Sequence, residues 1–170
     1  MKKIIFLAGL IVGVLLIPGG AYVYVTGGYA PVATSAEPMP FEKRLASAVL
    51  HARIEKEMPK SVPIPSTESN LLAGATLYRE HCAICHGLPH ASETAIAKGM
   101  FPHPPQLFKG KGVTDDEPGE TYWKVANGIR LTGMPGFRST LKDDQLWQIS
   151  LFLTNADKLS ESAKNALTAK

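Results

Sequence analysis

Cysteine is nearly absent from this chain: its 170 residues hold two, Cys82 and Cys85. A bridge between them would staple only a tiny loop, and a zinc site built from two spaced cysteine pairs is out of reach. Charge is missing elsewhere. No Asp, Glu, Lys or Arg lies between Lys3 and Glu37. Net charge is missing from the longer part: residues 66–170 carry 11 basic and 11 acidic side chains, so the excess of 7 basic over 4 acidic sits in residues 1–65. Nucleic-acid binding asks for a clustered basic face on the folded part, and this balance removes its main support. A basic arm beside an apolar segment suits an anionic lipid surface better. Strand signals are scarce too, with none ahead of Cys82 or in residues 88–112.

The uncharged stretch is an apolar run. "MKKIIFLAGLIVGVLLIPGGAYVYVTGG" starts with two lysines, and Ile4–Val25 is 22 residues without a charge, against the roughly 20 that span a bilayer. Two readings fit. A retained anchor would have Pro18, Gly19 and Gly20 as a kink near its outer end, with Tyr22, Tyr24 and Tyr29 at the interface. A signal peptide would use Ile4–Ile17 as its core and be cut after Ala21 or Ala36, neither of them a clean small-x-small site. The anchor is favoured, with lipid contact through this N-terminal helix. On either reading Lys2 and Lys3 stay cytoplasmic and the chain beyond residue 30 is exported. The expected location is the inner (cytoplasmic) membrane, with the folded part on the periplasmic side. No cysteine directly follows the apolar run, which excludes a lipoprotein anchor.

Four segments follow from composition and periodicity: an anchor or uncleaved signal at 1–29, a proline-rich linker at 30–65, a helical domain at 66–156 and a polar, frayed tail at 157–170. Within the linker, "FEKRLASAVLHARIEKEM" predicts a juxtamembrane helix with Phe41, Leu45, Ala48, Val49 and Ala52 as its apolar stripe. A second helix begins near Ser69 or Asn70, either of which can cap it, and Leu71, Ala75, Tyr78 and Cys82 form its stripe. A third follows Thr114 and Glu117, at capping-box spacing, with Pro118 in its first turn and Asn127-Gly128 at its end. The last spans about Leu141 to Asn155, with Thr140 and Asp143 as a second capping box. The fold class is therefore all-α: three to four short helices with long loops, preceded by a transmembrane helix. So few large apolar side chains lie outside the helices that something other than protein should fill the middle.

"EHCAICHG" suggests what. Cys82 and Cys85 are i and i+3, and His86 is i+4 from Cys82, so all three share one helical face. Two thioethers on one edge of a porphyrin and an imidazole on the iron need that arrangement, and C-x-x-C-H reads as attachment of haem c. Zinc through Cys82, Cys85, His86 and His90 is awkward because a ligand histidine would adjoin a ligand cysteine. A thioredoxin-like dithiol expects a preceding strand. The sixth iron position then needs a ligand or stays open. Met134, in "GIRLTGMPGF" between Gly128, Gly133 and Gly136 with Pro135 behind it, is the first candidate; Met100 and His103 remain as others. His90 lies too close to His86 to reach the opposite face. Lys98, Arg130 and Arg138 are candidate charges around a docking rim near Cys82, Pro89 and Met134. Trp123 and Tyr122 either pack on the haem, bond a propionate, or are plain core.

Residues 69–155 resemble the class I c-type cytochromes, single-haem all-helical electron carriers. "LLAGATLYREHCAICHG" is similar to their first helix and attachment motif, "PPQL" to their proline–x–leucine loop, "YWKVANGIRLTGMPGF" to their ligand-methionine segment and "LKDDQLWQISLFL" to their last helix. The resemblance implies that the Pro105 carbonyl accepts from His86, that Leu107 packs on the ring, and that Gly74 and Tyr78 meet Phe152 or Trp147. It implies an electron carrier and not an enzyme, binding one haem c and its iron with His86 and Met134 as axial ligands, and exchanging electrons with a donor and an acceptor protein. The tether before residue 66 departs from the soluble carriers. It opens the alternative of a haem subunit in a larger membrane dehydrogenase or oxidase complex.

Overall fold

The computed structural model describes residues 2–108 and 114–168, and every regular element among them is a helix. The chain divides between Lys43 and Arg44 into two units. The first holds α1 (Lys2–Thr26), which continues through Pro18 and the two glycines after it. With a mean hydropathy of 2.5 over its most apolar window, α1 is long and apolar enough to cross a membrane by length and composition. Gly28, at φ 79°, follows its end, and Tyr24 and Tyr29 stack with ring centroids 6.4 Å apart.

The division falls within the first turn of α2 (Glu42–Glu57). The helix forms where its sequence predicts it, but the stripe faces the other way. Leu45 and Val49 are 67% and 63% exposed, while Ile54 on the opposite face is 2% exposed. The helix carries apolar residues on both sides, and spacing alone cannot say which side finds a partner.

α3 (Glu68–His81) is capped by Thr67, not by Ser69 or Asn70. Thr67 has extended backbone angles, and its hydroxyl accepts from the Asn70 amide at 3.3 Å. The Asn70 side chain turns back to the Pro65 carbonyl at 2.9 Å instead. Two one-turn helices follow, α4 (Ala83–His86) and α5 (Ala95–Lys98). α6 (Pro118–Asn127) opens with Pro118 at its first position and Glu117 as cap residue without a side-chain cap bond, so Thr114 is not its cap residue. α7 (Asp143–Thr154) starts after Lys142, whose amide donates to Gln145 Oε1 at 2.9 Å. Thr140 is not its cap, since that hydroxyl bonds the Phe137 carbonyl at 3.2 Å.

The core sits where α3 and α6 meet α7. Gly74 lets α3 and α7 touch: a Cβ there would strike the Gln148 carbonyl and the Phe152 side chain. One turn on, the Tyr78 ring lies 5.6 Å from Phe152. Across the other contact, Tyr122 of α6 stacks on Trp147 of α7 at 4.2 Å, and its hydroxyl donates to the Asp143 carboxylate. Because the clash at Gly74 is with backbone, relaxation is limited. Gly74→Ala is expected to lose about 1–3 kcal/mol of stability, read as a lower urea midpoint at unchanged slope.

Residues 157–168 are not a frayed tail. α8 (Glu161–Thr168) packs on α3, burying Leu159, Ala163 and Leu167. Arg79 Nη1 donates to the Ala166 carbonyl at 2.7 Å, and Ser160 and Ser162 both donate to the Glu68 carboxylate. Those hydroxyls hold Glu68 below its ordinary carboxylate range.

Candidate functional site

α3 ends at Cys82, whose amide still bonds the Tyr78 carbonyl at 2.8 Å. The Cys82 carbonyl then accepts from the amides of Cys85 (3.1 Å) and His86 (2.9 Å), which winds α4. Gly87, at φ 76°, stops it, and the Tyr78 hydroxyl pins that glycine's carbonyl at 2.7 Å. Cys82 therefore sits at the break between α3 and α4, and Cys85 and His86 lie in α4, so the three are not on one continuous helix.

The loop after Gly87 ties back to this turn three times. Thr94 Oγ1 donates to the Ile84 carbonyl (2.6 Å), Gln106 Nε2 to the Cys85 carbonyl (3.2 Å), and His86 Nδ1 meets the Pro105 carbonyl oxygen at 2.8 Å. A carbonyl only accepts, so Nδ1 carries the proton and Nε2 keeps its lone pair for a metal. Burial lowers the His86 pKa, outweighing the upward pull of the Pro105 carbonyl. The ring is thus held neutral, as a ligand must be. Burial, with Cys85 beside it, pushes the Cys82 thiol up to about 12. Without a metal or haem such a thiol stays protonated at neutral pH. The two cysteines are unbridged, and no group of three or more His, Cys, Asp or Glu converges as a metal cage among the described residues.

These residues border a cavity of about 270 Å³ with almost wholly apolar walls. Cys82, Cys85 and His86 form one side, and Met100, Pro105 and Leu107 come from the loop. α6 supplies Thr121, Lys124 and Val125, and Met134 arrives from far downstream with Ile129 and Pro135. The segment around Met134 is held by backbone bonds. The Ile129 amide donates to the Met134 carbonyl (3.2 Å), and the amides of Phe137 and Arg138 donate to the Val125 and Ala126 carbonyls at 3.0 and 3.1 Å. Gly128, at φ 67°, lies so close beneath it that a Cβ would meet the backbone of Met134, Pro135 and Gly136.

Six of the seven expected site residues thus border one cavity: Cys82, Cys85, His86, Pro105, Leu107 and Met134. Trp123 does not. Its indole N–H donates to Glu57 of α2 at 3.2 Å, on the side of α6 away from Thr121 and Val125 in the helical register. Tyr122 is core, stacked on Trp147. His103 pairs with Glu93 at 3.4 Å, outside the cavity lining, whereas Met100 stands in that lining beside Gly133. Arg138 is folded over the Tyr122 ring, 5.8 Å from its centroid, so it serves the core before any partner.

Several wall residues escape sequence reasoning, Leu50 and Thr121 among them. Leu50 reaches the cavity from α2. Thr121 is 4% exposed, and its hydroxyl has no hydrogen-bond partner. Beside it Lys124 is held by Glu120 (2.6 Å) and Asp116 (3.0 Å). Burial would lower its pKa, but the two carboxylates raise it overall and keep it charged. A largely apolar group bearing a few anionic oxygens would fill the walls and satisfy the Thr121 hydroxyl. Haem c has that character, with its two propionates, its vinyl edge toward paired cysteines and its iron toward a neutral imidazole.

Residues 69–153 match the family described as cytochrome c oxidase, cbb3-type, subunit III. The chain belongs to that family of c-type cytochromes. Haem-based electron transfer is the work of such a domain. No curated protein matches the chain. Among solved structures it is similar to a reducing HAO-like protein complex of Kuenenia stuttgartiensis, at 23% identity and a TM-score of 0.50. That likeness covers 71% of this chain and 51% of the other, so this c-type cytochrome spans about half the length of the solved chain it matches and shares its fold.

Proposed function

We propose that this chain is a membrane-tethered electron carrier holding one haem c through Cys82 and Cys85, with His86 and Met134 as axial ligands, outside the cytoplasmic membrane. One observation carries the reading: residues far apart in sequence, Cys82, Cys85 and His86 on one side and Met134 on the other, border a single apolar cavity. When bound, haem c supplies a reversible one-electron couple, whose potential a methionine ligand raises relative to histidine. The protein's part is to hold and tune. Pro105 fixes the tautomer and orientation of His86. The braced loop presents the Met134 thioether without needing to move. Val125 and Leu107 keep water from the ring. With His86 and Met134 both holding the iron, the site would favour electron exchange with a docked donor or acceptor over substrate binding. α1 is the tether, held in lipid by its apolar length.

The intact mass and reduced-pyridine spectrum of the protein from the membrane fraction test this together. The expected result is one covalently attached haem on a chain that retains α1. A haem-free mass would overturn the site, and a shortened N-terminus would overturn the tether. The description of the matched family as an oxidase subunit favours a second reading, a haem subunit of a larger membrane dehydrogenase or oxidase complex. Purification in mild detergent separates the two, since the carrier runs as a single chain and the subunit brings a complex with it.

Thr121 gives a sharper check. Its hydroxyl would donate to a carboxylate of the bound group, and a hydrogen bond to a charged group contributes about 1.5–3 kcal/mol. Thr121→Val keeps the shape and removes the donor. The carboxylate should then protonate more readily, moving the inflection of midpoint potential against pH upward by about one unit or more. An unmoved inflection would assign the hydroxyl no such role.

A further inference from the structure

We infer that α2, which lies before the family-matched segment, is a wall of the haem cavity and that Leu50 seals it, so the arm leading from α1 helps to set the potential. The inference rests on the haem reading above. Two contacts fasten the end of α2 and the turn after it to α6, the helix that carries Thr121, Lys124 and Val125. Leu50 borders the cavity beside those side chains. One turn on, Ile54 is almost fully buried. At the end of the helix Glu57 accepts the Trp123 indole N–H, and Arg53 holds that carboxylate at 2.6 Å. The turn then continues the fit. The Met58 amide bonds the Ile54 carbonyl at 2.7 Å, and the Pro59 carbonyl lies so close to Gly119 that no Cβ could stand there. Leu50, Ile54 and Glu57 recur at spacings of four and three, which puts them on one face of the helix.

This placement has an electrostatic consequence. Oxidation leaves one more positive charge on the bound group, and a hydrocarbon wall stabilises that charge less than water does. Burial and dielectric are among the means by which a protein tunes a haem potential. Leu50 therefore holds the potential up, and loosening α2 lowers it. The helix that approaches the membrane segment in sequence is also a cover of the redox site.

The test uses the full-length haem-loaded protein and three substitutions. Leu50→Ala should lower the midpoint potential and speed reduction by a small soluble reductant. Trp123→Phe, which removes only the donor to Glu57, should shift both in the same direction by less. Val49→Ala, on the outward face next to Leu50, should change neither. Each variant should keep its covalent haem by intact mass and the ferric methionine-to-iron absorption band, which separates a shift in environment from a lost ligand. Potentials for Leu50→Ala and the unsubstituted protein that coincide would overturn the inference, as would a Val49→Ala shift of equal size. A haem-free unsubstituted protein would instead sink the haem reading itself, and is recognised from its mass before any potential is measured.

Discussion

Met134→Ala is expected to leave the haem attached and change nearly everything else about it. The cysteines and His86 are untouched, so covalent mass and haem stain persist. The thioether is gone, and the loop that carried it is braced by Gly128 and by the Phe137 and Arg138 amides, so that loop brings no second ligand in its place. The reduced variant should bind carbon monoxide rapidly at neutral pH, where the unsubstituted protein does not. Its potential should fall by a substantial part of the roughly 0.8 V range that axial ligands command. Met100 makes this a discriminating experiment because it borders the same cavity. If the visible spectrum survives Met134→Ala and changes in Met100→Ala, the ligand is Met100. If it survives both, the sixth position is not held by methionine.

The second large effect concerns folding. Cys82→Ser with Cys85→Ser removes both attachment points, and the chain prepared without haem must close over a cavity of about 270 Å³. At about 24 cal/mol per Å³ an unfilled space of that size costs on the order of 6 kcal/mol. Entry of water through the open side lowers that figure. Domains of this size are stable by about 5–15 kcal/mol in total. The haem-free variant should therefore show weakened helical circular dichroism and a broad melt, against a sharp transition for the loaded protein. A cooperative melt at native helix content would mean that the helices pack without the group.

The parts of the site legible in sequence are those whose chemistry is local or whose loop is marked. The attachment turn needs its three residues within five positions, and the glycines and proline around Met134 flag a backbone held close. Helices were legible from their apolar spacing, but their caps were less so. Thr67, Ser69 and Asn70 all offer side-chain oxygens or amides, and the extended backbone at Thr67 decides among them. Thr121 was missed because a threonine between two aromatic residues and a glutamate carries no signal of its own; only the shape of the cavity leaves its hydroxyl alone. Trp123 was misplaced because an aromatic near a cofactor motif suggests stacking, whereas the 100° step per residue turns it from the cavity toward Glu57. α2 misled for the opposite reason, since its two faces are both apolar.

α8 was the largest omission, and its face explains why. Leu159, Ala163 and Leu167 recur every four residues, yet alanine and scattered polar residues dilute the pattern. The length of chain that is recognisable by kinship is accordingly shorter than the length that must fold together. A fragment trimmed to 69–153 would strip α8 from α3, take from Arg79 the Ala166 carbonyl that it bonds, and remove Glu68 together with the Ser160 and Ser162 hydroxyls that donate to it. It would also discard Thr67, the cap that starts α3. For this protein the unit of inheritance and the unit of folding have different ends, and an expressed piece should be cut by the second.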